Sequence, residues 1–442
     1  LIEIKKKSNY IFDSAMKYIV TSLISISIVY LYLFDIQPVF SYTGMTANAN
    51  LDYLYLILLI VLTGSMLYVS PKRVYLPSSI LAWLMYNLVY IPSVFISYAS
   101  GIVTGYKHLI LFAILTLAML MLFSIPRFRG YKTINVSLNN NAFKVFAVIL
   151  GSVCYLVLLI YYKPNISNLV SLTDISELYD IRGEFRDSAS NAPTIARYVF
   201  AWTSKVFVPF FLIYGLARKN KIITVMSLFT GLLLFSSTGL KSIILGPVII
   251  YSFWYLLNKR EIKFSTLSNI FLFVLFFGVI CYHLDFSLFN YIIIRRVVMV
   301  PGFLTGCYFD FFSNNELTLL GYSILKGVVS YNYEYTPPFV IGEHYFGRSD
   351  MAANANFLAS SFGDLGIIGV LSFSAFVSLM FGFIDKTAMN KQAVPEISAL
   401  MLLPMWTLID TALFTALLTH GLGIISMLLI VIPIGTFIKD RK

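Results

Sequence analysis

Apolar residues recur along this chain in blocks of about twenty, the length an α-helix needs to cross roughly 30 Å of hydrocarbon. Five blocks come first, near residues 16–34, 51–70, 78–98, 108–125 and 143–162. Four follow a polar stretch, near 198–217, 222–238, 240–257 and 264–284, and the middle pair is joined so tightly at Thr238 and Gly239 that a helical hairpin is required. Three more, near 361–384, 398–418 and 422–438, complete the pattern. It predicts an all-α integral membrane protein of about twelve spans, forming one polytopic domain over residues 1–442. Two long connections stand out, at 163–197 and 286–360.

Lys5, Lys6 and Lys7 followed by an apolar stretch resemble a secretion signal, but the stretch runs to Phe34 and ends on Asp35 rather than on small residues, so a first span is expected. The segment 289–312 is apolar enough for a thirteenth span. Arg295 and Arg296 oppose it, since each would cost roughly 2.5 to 3.5 kcal/mol in mid-membrane. An extra crossing would also break the charge pattern, so an interfacial or re-entrant segment is expected.

That pattern is regular. Lys5 to Lys7, Lys72/Arg73, Arg127/Arg129/Lys132/Lys144, Arg218/Lys219/Lys221, Lys259/Arg260/Lys263, Lys386/Lys391 and Lys439/Arg441/Lys442 fall on alternate connections, which places both termini in the cytoplasm and both long loops outside. Composition agrees: 58% hydrophobic and only 12% charged residues exclude a soluble fold. The formal charge of 32 − 21 = +11 then reflects cytoplasmic anchoring rather than nucleic-acid binding. Three widely spaced cysteines, Cys154, Cys281 and Cys307, provide neither a disulfide framework nor a Cys-x-x-Cys metal site.

The outer loops carry the candidate chemistry. The second is rich in aromatic residues, among them Tyr308, Phe311, Tyr331, Tyr333, Tyr335 and Tyr345. Their rings suit sugar faces, although an interfacial aromatic belt accounts for part of them. Arg182, Arg186, Arg197, Arg295, Arg296 and Arg348 lie on the side where positive charge is disfavoured. Guanidinium forks match phosphate oxygens, so a diphosphate at the outer membrane edge is the expected partner. Arg182 and Arg186 also have the local acids Asp180, Glu184 and Asp187 to pair with, whereas Arg295 and Arg296 have no neighbouring acid in sequence. Lys241 and Asp410 are embedded in spans, where ionisable groups are functional candidates, although snorkelling and structural pairing are the plainer readings.

Three segments carry a family resemblance: SSTGLKSIILGPVII, RRVVMVPGFLTGCYFDFFSNN and GEHYFGRSDMAANANFLASSFGDLGIIGV. With Arg295 followed eleven positions on by Gly306, in an Arg-x10-Gly spacing, the chain resembles the O-antigen polymerases, the Wzy-type oligosaccharide repeat-unit polymerases. Arg182 has Pro193 at the corresponding place, and Lys241 stands where the family often has Arg. The resemblance implies a GT-C-like, metal-independent and cofactor-free glycosyltransferase of the bacterial inner membrane. Its donor and acceptor would be undecaprenyl-diphosphate-linked oligosaccharides, and a chain-length-regulating co-polymerase would be a further partner. Arg295, Arg296, Arg182, Arg186, Lys241 and Arg348 would then hold diphosphate. Asn354, Asn356 and Tyr335 would contact sugar, Asn356 having helix capping as its alternative. For the base that takes the acceptor's proton, His344 beside Glu343 is the first choice and Asp310 the carboxylate alternative. A lipid-linked oligosaccharide flippase and an O-antigen ligase are the competing classes.

Overall fold

The computed structural model describes residues 2–125, 137–173, 175–260 and 262–438. The basic residues Arg127, Arg129, Lys132, Lys439, Arg441 and Lys442 lie outside them, as do Asp174 and the side chains of Lys5 to Lys7 and Glu177. The described chain is all-α apart from one two-stranded ladder, β1 (Arg73–Val74) with β2 (Ile262–Lys263). Ten helices are long and apolar enough to cross a membrane. They are α1 (Ala15–Thr43), α3 (Pro77–Ala99), α4 (Gly105–Ser124), α5 (Asn140–Tyr162), α7 (Thr194–Ala217), α8 (Lys221–Thr238), α9 (Lys241–Lys259), α10 (Phe264–His283), α11 (Asn290–Asn314) and α13 (Phe357–Asn390). Between them lie α2 (Tyr53–Tyr68), the polar α6 (Ile175–Asn191) and α12 (Pro337–Phe346), and after them α14 (Val394–Ile409), α15 (Leu413–Leu418) and α16 (Leu422–Val431).

Nine of the expected spans fall on long helices. The other three, at 51–70, 398–418 and 422–438, are the shorter apolar helices α2, α14 and α16. Each shortening has a local cause. Asp52 caps α2, accepting from the backbone of Leu54 and Tyr55. The helical run from Val394 stops at Ile409, before Asp410, and α16 stops before Pro433, which cannot continue a helix. The tenth long helix is the excluded segment itself, running unbroken through Arg295 and Arg296.

α3 forms the centre, with 94% of its most apolar stretch buried. α11 runs parallel to it: Gly302 packs on the Pro92 carbonyl, Ser93 donates to Thr305 at 2.8 Å, and Gly306 faces Ser97. α13 is two helices in one. Leu365 and Gly366 leave helical geometry, and Gly369 is packed against the Ser361 carbonyl, so the first two turns fold back along the rest. Those turns lie along α11, with Asn356 donating to Thr305 at 2.7 Å and the Phe309 and Phe362 rings 4.6 Å apart. The expected span at 361–384 therefore contains a reversal, and its long straight part begins only after Gly366. Asn290 bonds to Asp35 and to the Gly278 carbonyl, late in α10, while Asn314 accepts from Lys107 at the start of α4.

Candidate functional site

The first cationic group sits early in α11. Arg295 Nε donates to the Tyr291 carbonyl at 3.1 Å, and its guanidinium carbon lies 4.1 Å from the centre of the Phe40 ring, a cation–π contact. Arg296 is exposed beside it. Neither makes an ion pair among the described residues. Two like charges held side by side without a counter-ion form an anion-attracting corner.

Farther along α11, Asp310 accepts from the Tyr345 hydroxyl at 2.7 Å, and Lys107 Nζ stands 4.0 Å from its other oxygen. Lys107 also donates to Asn314 at 3.0 Å. Burial, and then the bond to Asp310, push the Tyr345 phenol well above its ordinary value, so it remains a hydroxyl donor to the carboxylate. His344, the preceding residue, is exposed, with its ring edge-on to Phe311 at 5.0 Å. His344 is thus an accessible imidazole one residue from the tyrosine that bonds Asp310.

One turn links the two groups. Phe40, under Arg295, leads into Ser41–Thr43 and Gly44, which takes φ +92°. A Cβ on Gly44 would come 2.5 Å from the Tyr345 carbonyl oxygen, so only glycine permits both the turn and its seat on α12. The turn therefore touches both groups, Arg295 through Phe40 and the Asp310 partner Tyr345 through Gly44, although Arg295 and Asp310 themselves stand about 20 Å apart along α11.

The remaining expected residues are placed elsewhere. Arg348 pairs with Asp350 at 2.9 Å in full exposure, which lowers the Asp350 carboxyl and raises the guanidinium. Asn354 and Tyr335 are exposed, and the Tyr335 carbonyl accepts from Tyr331. Asn356 is buried: its oxygen caps α13 through Leu358 and Ala359 while its amide bonds Thr305. Arg182 donates twice, at 3.2 Å, to the carbonyl of Gly239 in the α8–α9 hairpin; Lys241 and Arg186 are exposed. These form a second cationic corner. Arg197 donates to Thr194 at 3.0 Å.

Sequence reasoning missed Phe40 and Lys107, and it read Tyr345 only as one of the loop's aromatic rings, not as the partner of Asp310. Only Lys107 left a signal, as a lysine on a connection assigned to the acidic side. It also missed Lys205, whose Nζ lies 2.9 Å from His420 Nδ1. Lys205 is the twelfth of the 24 residues of α7, on a π-helical turn at Thr203–Phe207. Asp410, in the break between α14 and α15, interacts electrostatically with it. Among the described residues no three His, Cys, Asp or Glu side chains converge as a metal site would require. No family model, no curated protein and no solved structure matches the chain.

Proposed function

We propose that the chain is a membrane glycosyltransferase that polymerises undecaprenyl-diphosphate-linked oligosaccharide repeat units at the outer face of the bacterial cytoplasmic membrane. The carrying observation is the Arg295/Arg296 corner, two adjacent guanidiniums in an apolar segment with no ion pair among the described residues, one of them seated on Phe40. A diphosphate leaving group gains negative charge as its bond to the sugar breaks, and two guanidiniums stabilise that charge without supplying a proton. The acceptor hydroxyl oxygen forms the new bond to the anomeric carbon, the old carbon–oxygen bond breaks, and polyprenyl diphosphate departs. The hydroxyl proton passes to His344, with Asp310 as the alternative acceptor.

In this reading α11 does not cross the membrane. The alternation of lysine and arginine, which a further crossing would break, supports this reading and cytoplasmic termini. The test is to incubate purified protein with lipid-linked repeat units extracted from cells lacking it, in EDTA. A ladder spaced by one repeat is expected; transfer of single units to lipid A core would indicate a ligase instead. A flippase or transporter is the second reading, favoured by Lys205, His420 and Asp410 meeting where three helices are broken, since ionisable groups at broken helices mark transport pathways. Movement of lipid-linked units across vesicles with no ladder would select it.

A further inference from the structure

Arg295 and Arg296 belong to a stretch of α11 that is not an ordinary helix. From Asn290 to Met299 the backbone runs as a ten-residue π-helix. Such geometry occurs mostly as single-turn bulges, frequently at functional sites. Each wide turn rotates every residue after it, so the directions of the two guanidiniums depend on the wide turns being kept.

Asn290 opens the segment and is wholly buried. Its amide nitrogen donates to Asp35 at 2.5 Å and to the Gly278 carbonyl at 2.8 Å, tying α11 to α1 and α10 at once. Asp35 is 2% exposed and has no lysine or arginine partner among the described residues. The Tyr291 phenol also reaches it. The amide oxygen of Asn290 has no partner. A buried carboxylate and an incompletely bonded amide are costly where apolar side chains would pack, unless they fix a geometry. Farther along, Arg295 lies over Phe40, five residues after Asp35 on the same extension of α1. The α1 extension therefore holds first the root and then the head of the arginine-bearing segment.

We infer that Asp35 and Asn290 are a positioning pair that locks the π-helical register of α11 and so aims Arg295 and Arg296 at the diphosphate. This rests on the diphosphate reading of the arginines; neither member of the pair touches substrate. Three variants test it: Asp35→Ala, Asp35→Asn, and the exchange of Asp35→Asn with Asn290→Asp. The first readout is structural, the rate at which a short bifunctional thiol reagent joins Phe40→Cys to Arg295→Cys after the three native cysteines are replaced by alanine. The second is kinetic. Asp35→Ala should slow cross-linking severalfold and raise KM for the lipid-linked donor about tenfold with kcat changed far less, and the exchange should recover part of both, because it restores the bond between positions 35 and 290 but not the one to the Gly278 carbonyl. If Asp35→Ala fails to accumulate, Asp35→Asn takes its place, since it keeps the volume and exchanges one acceptor oxygen for an amide donor. Unchanged cross-linking and KM in the single variants, or an exchange no better than either, would overturn the pair. Should the wild-type protein extend no lipid-linked chain, the functional reading falls by itself and cross-linking alone decides the register.

Discussion

α3 and α5 are similar in length and both strongly apolar, with mean hydropathies of 1.6 and 2.5 over their best stretches, yet 94% of that stretch is buried in α3 and 17% in α5. The more hydrophobic helix is the less buried one. In a bilayer this inversion is expected, because lipid-facing helices must be apolar all round, whereas central ones use small and polar side chains to bring backbones close. Around α3, Ser93 bonds Thr305, Gly302 packs on Pro92, and Asn356 bonds Thr305. On α5, Gly151 meets nothing closer than the Phe211 ring at 3.9 Å, and α9 is tied by Trp254 donating to Glu396 at 3.2 Å. The two regions also treat cationic residues differently. Arg295 is seated on an aromatic ring and a carbonyl, while Lys241, at the start of α9, stands exposed.

The comparison breaks if both kinds of cation matter equally. Replacing Arg295 and Arg296 together by alanine should reduce chain extension by on the order of 10³-fold or more at equal membrane abundance, read as loss of the product ladder. Lysine at either position should restore only part, because it keeps the charge but loses the fork. Full activity in the double alanine variant would remove them from the site.

The proton-transfer assignment sharpens the comparison within the packed region. His344→Ala should slow extension by about 10²-fold or somewhat more while donor binding survives. His344→Gln should be nearly as poor, since an amide accepts no proton at neutral pH. Near-normal rates with glutamine would make His344 a positioning residue at most and turn attention to Asp310.

Packing itself gives a third test. A methyl group on Gly302 would come 2.6 Å from the Pro92 carbonyl oxygen, so Gly302→Ala should cost about 1–3 kcal/mol, visible as earlier thermal unfolding in detergent. Gly151→Ala on α5 meets nothing closer than the Phe211 ring at 3.9 Å and should leave unfolding unchanged or raise it slightly. Equal destabilisation by both would mean that α5 is packed against protein.

The smallest effect is expected from Lys241→Ala, whose side chain is exposed: chain extension should change by less than about threefold, the scale of a surface charge. A loss matching that of Arg296→Ala would move the anion site to the α8–α9 hairpin.

The linear pattern was sufficient for what depends on local composition. Runs of apolar residues marked nine long helices because crossing hydrocarbon demands length and hydrophobicity in one contiguous stretch. The tight hairpin at Thr238 and Gly239 was equally legible, and Gly239 does adopt a left-handed conformation there. Arg295 and Arg296 were conspicuous for the same reason, as charges in an apolar run.

What those charges rest on was not legible. Phe40 meets Arg295, and Tyr345 meets Asp310, across 255 and 35 positions of chain, and neither aromatic residue differs locally from the many others in an aromatic-rich sequence. Asn356 satisfied two sequence expectations equally until its burial showed both ends of its amide in use. The reversal at Leu365 and Gly366 falls inside a segment that hydropathy reads as one span despite Asp364, because hydropathy measures what a segment avoids and says nothing of its direction. Lys205, His420 and Asp410 come from three segments interrupted at one place, and only tertiary packing decides that their interruptions meet. The sequence by itself determined which stretches leave water; the pairing of their polar residues depended on contacts between distant helices, which no local pattern encodes.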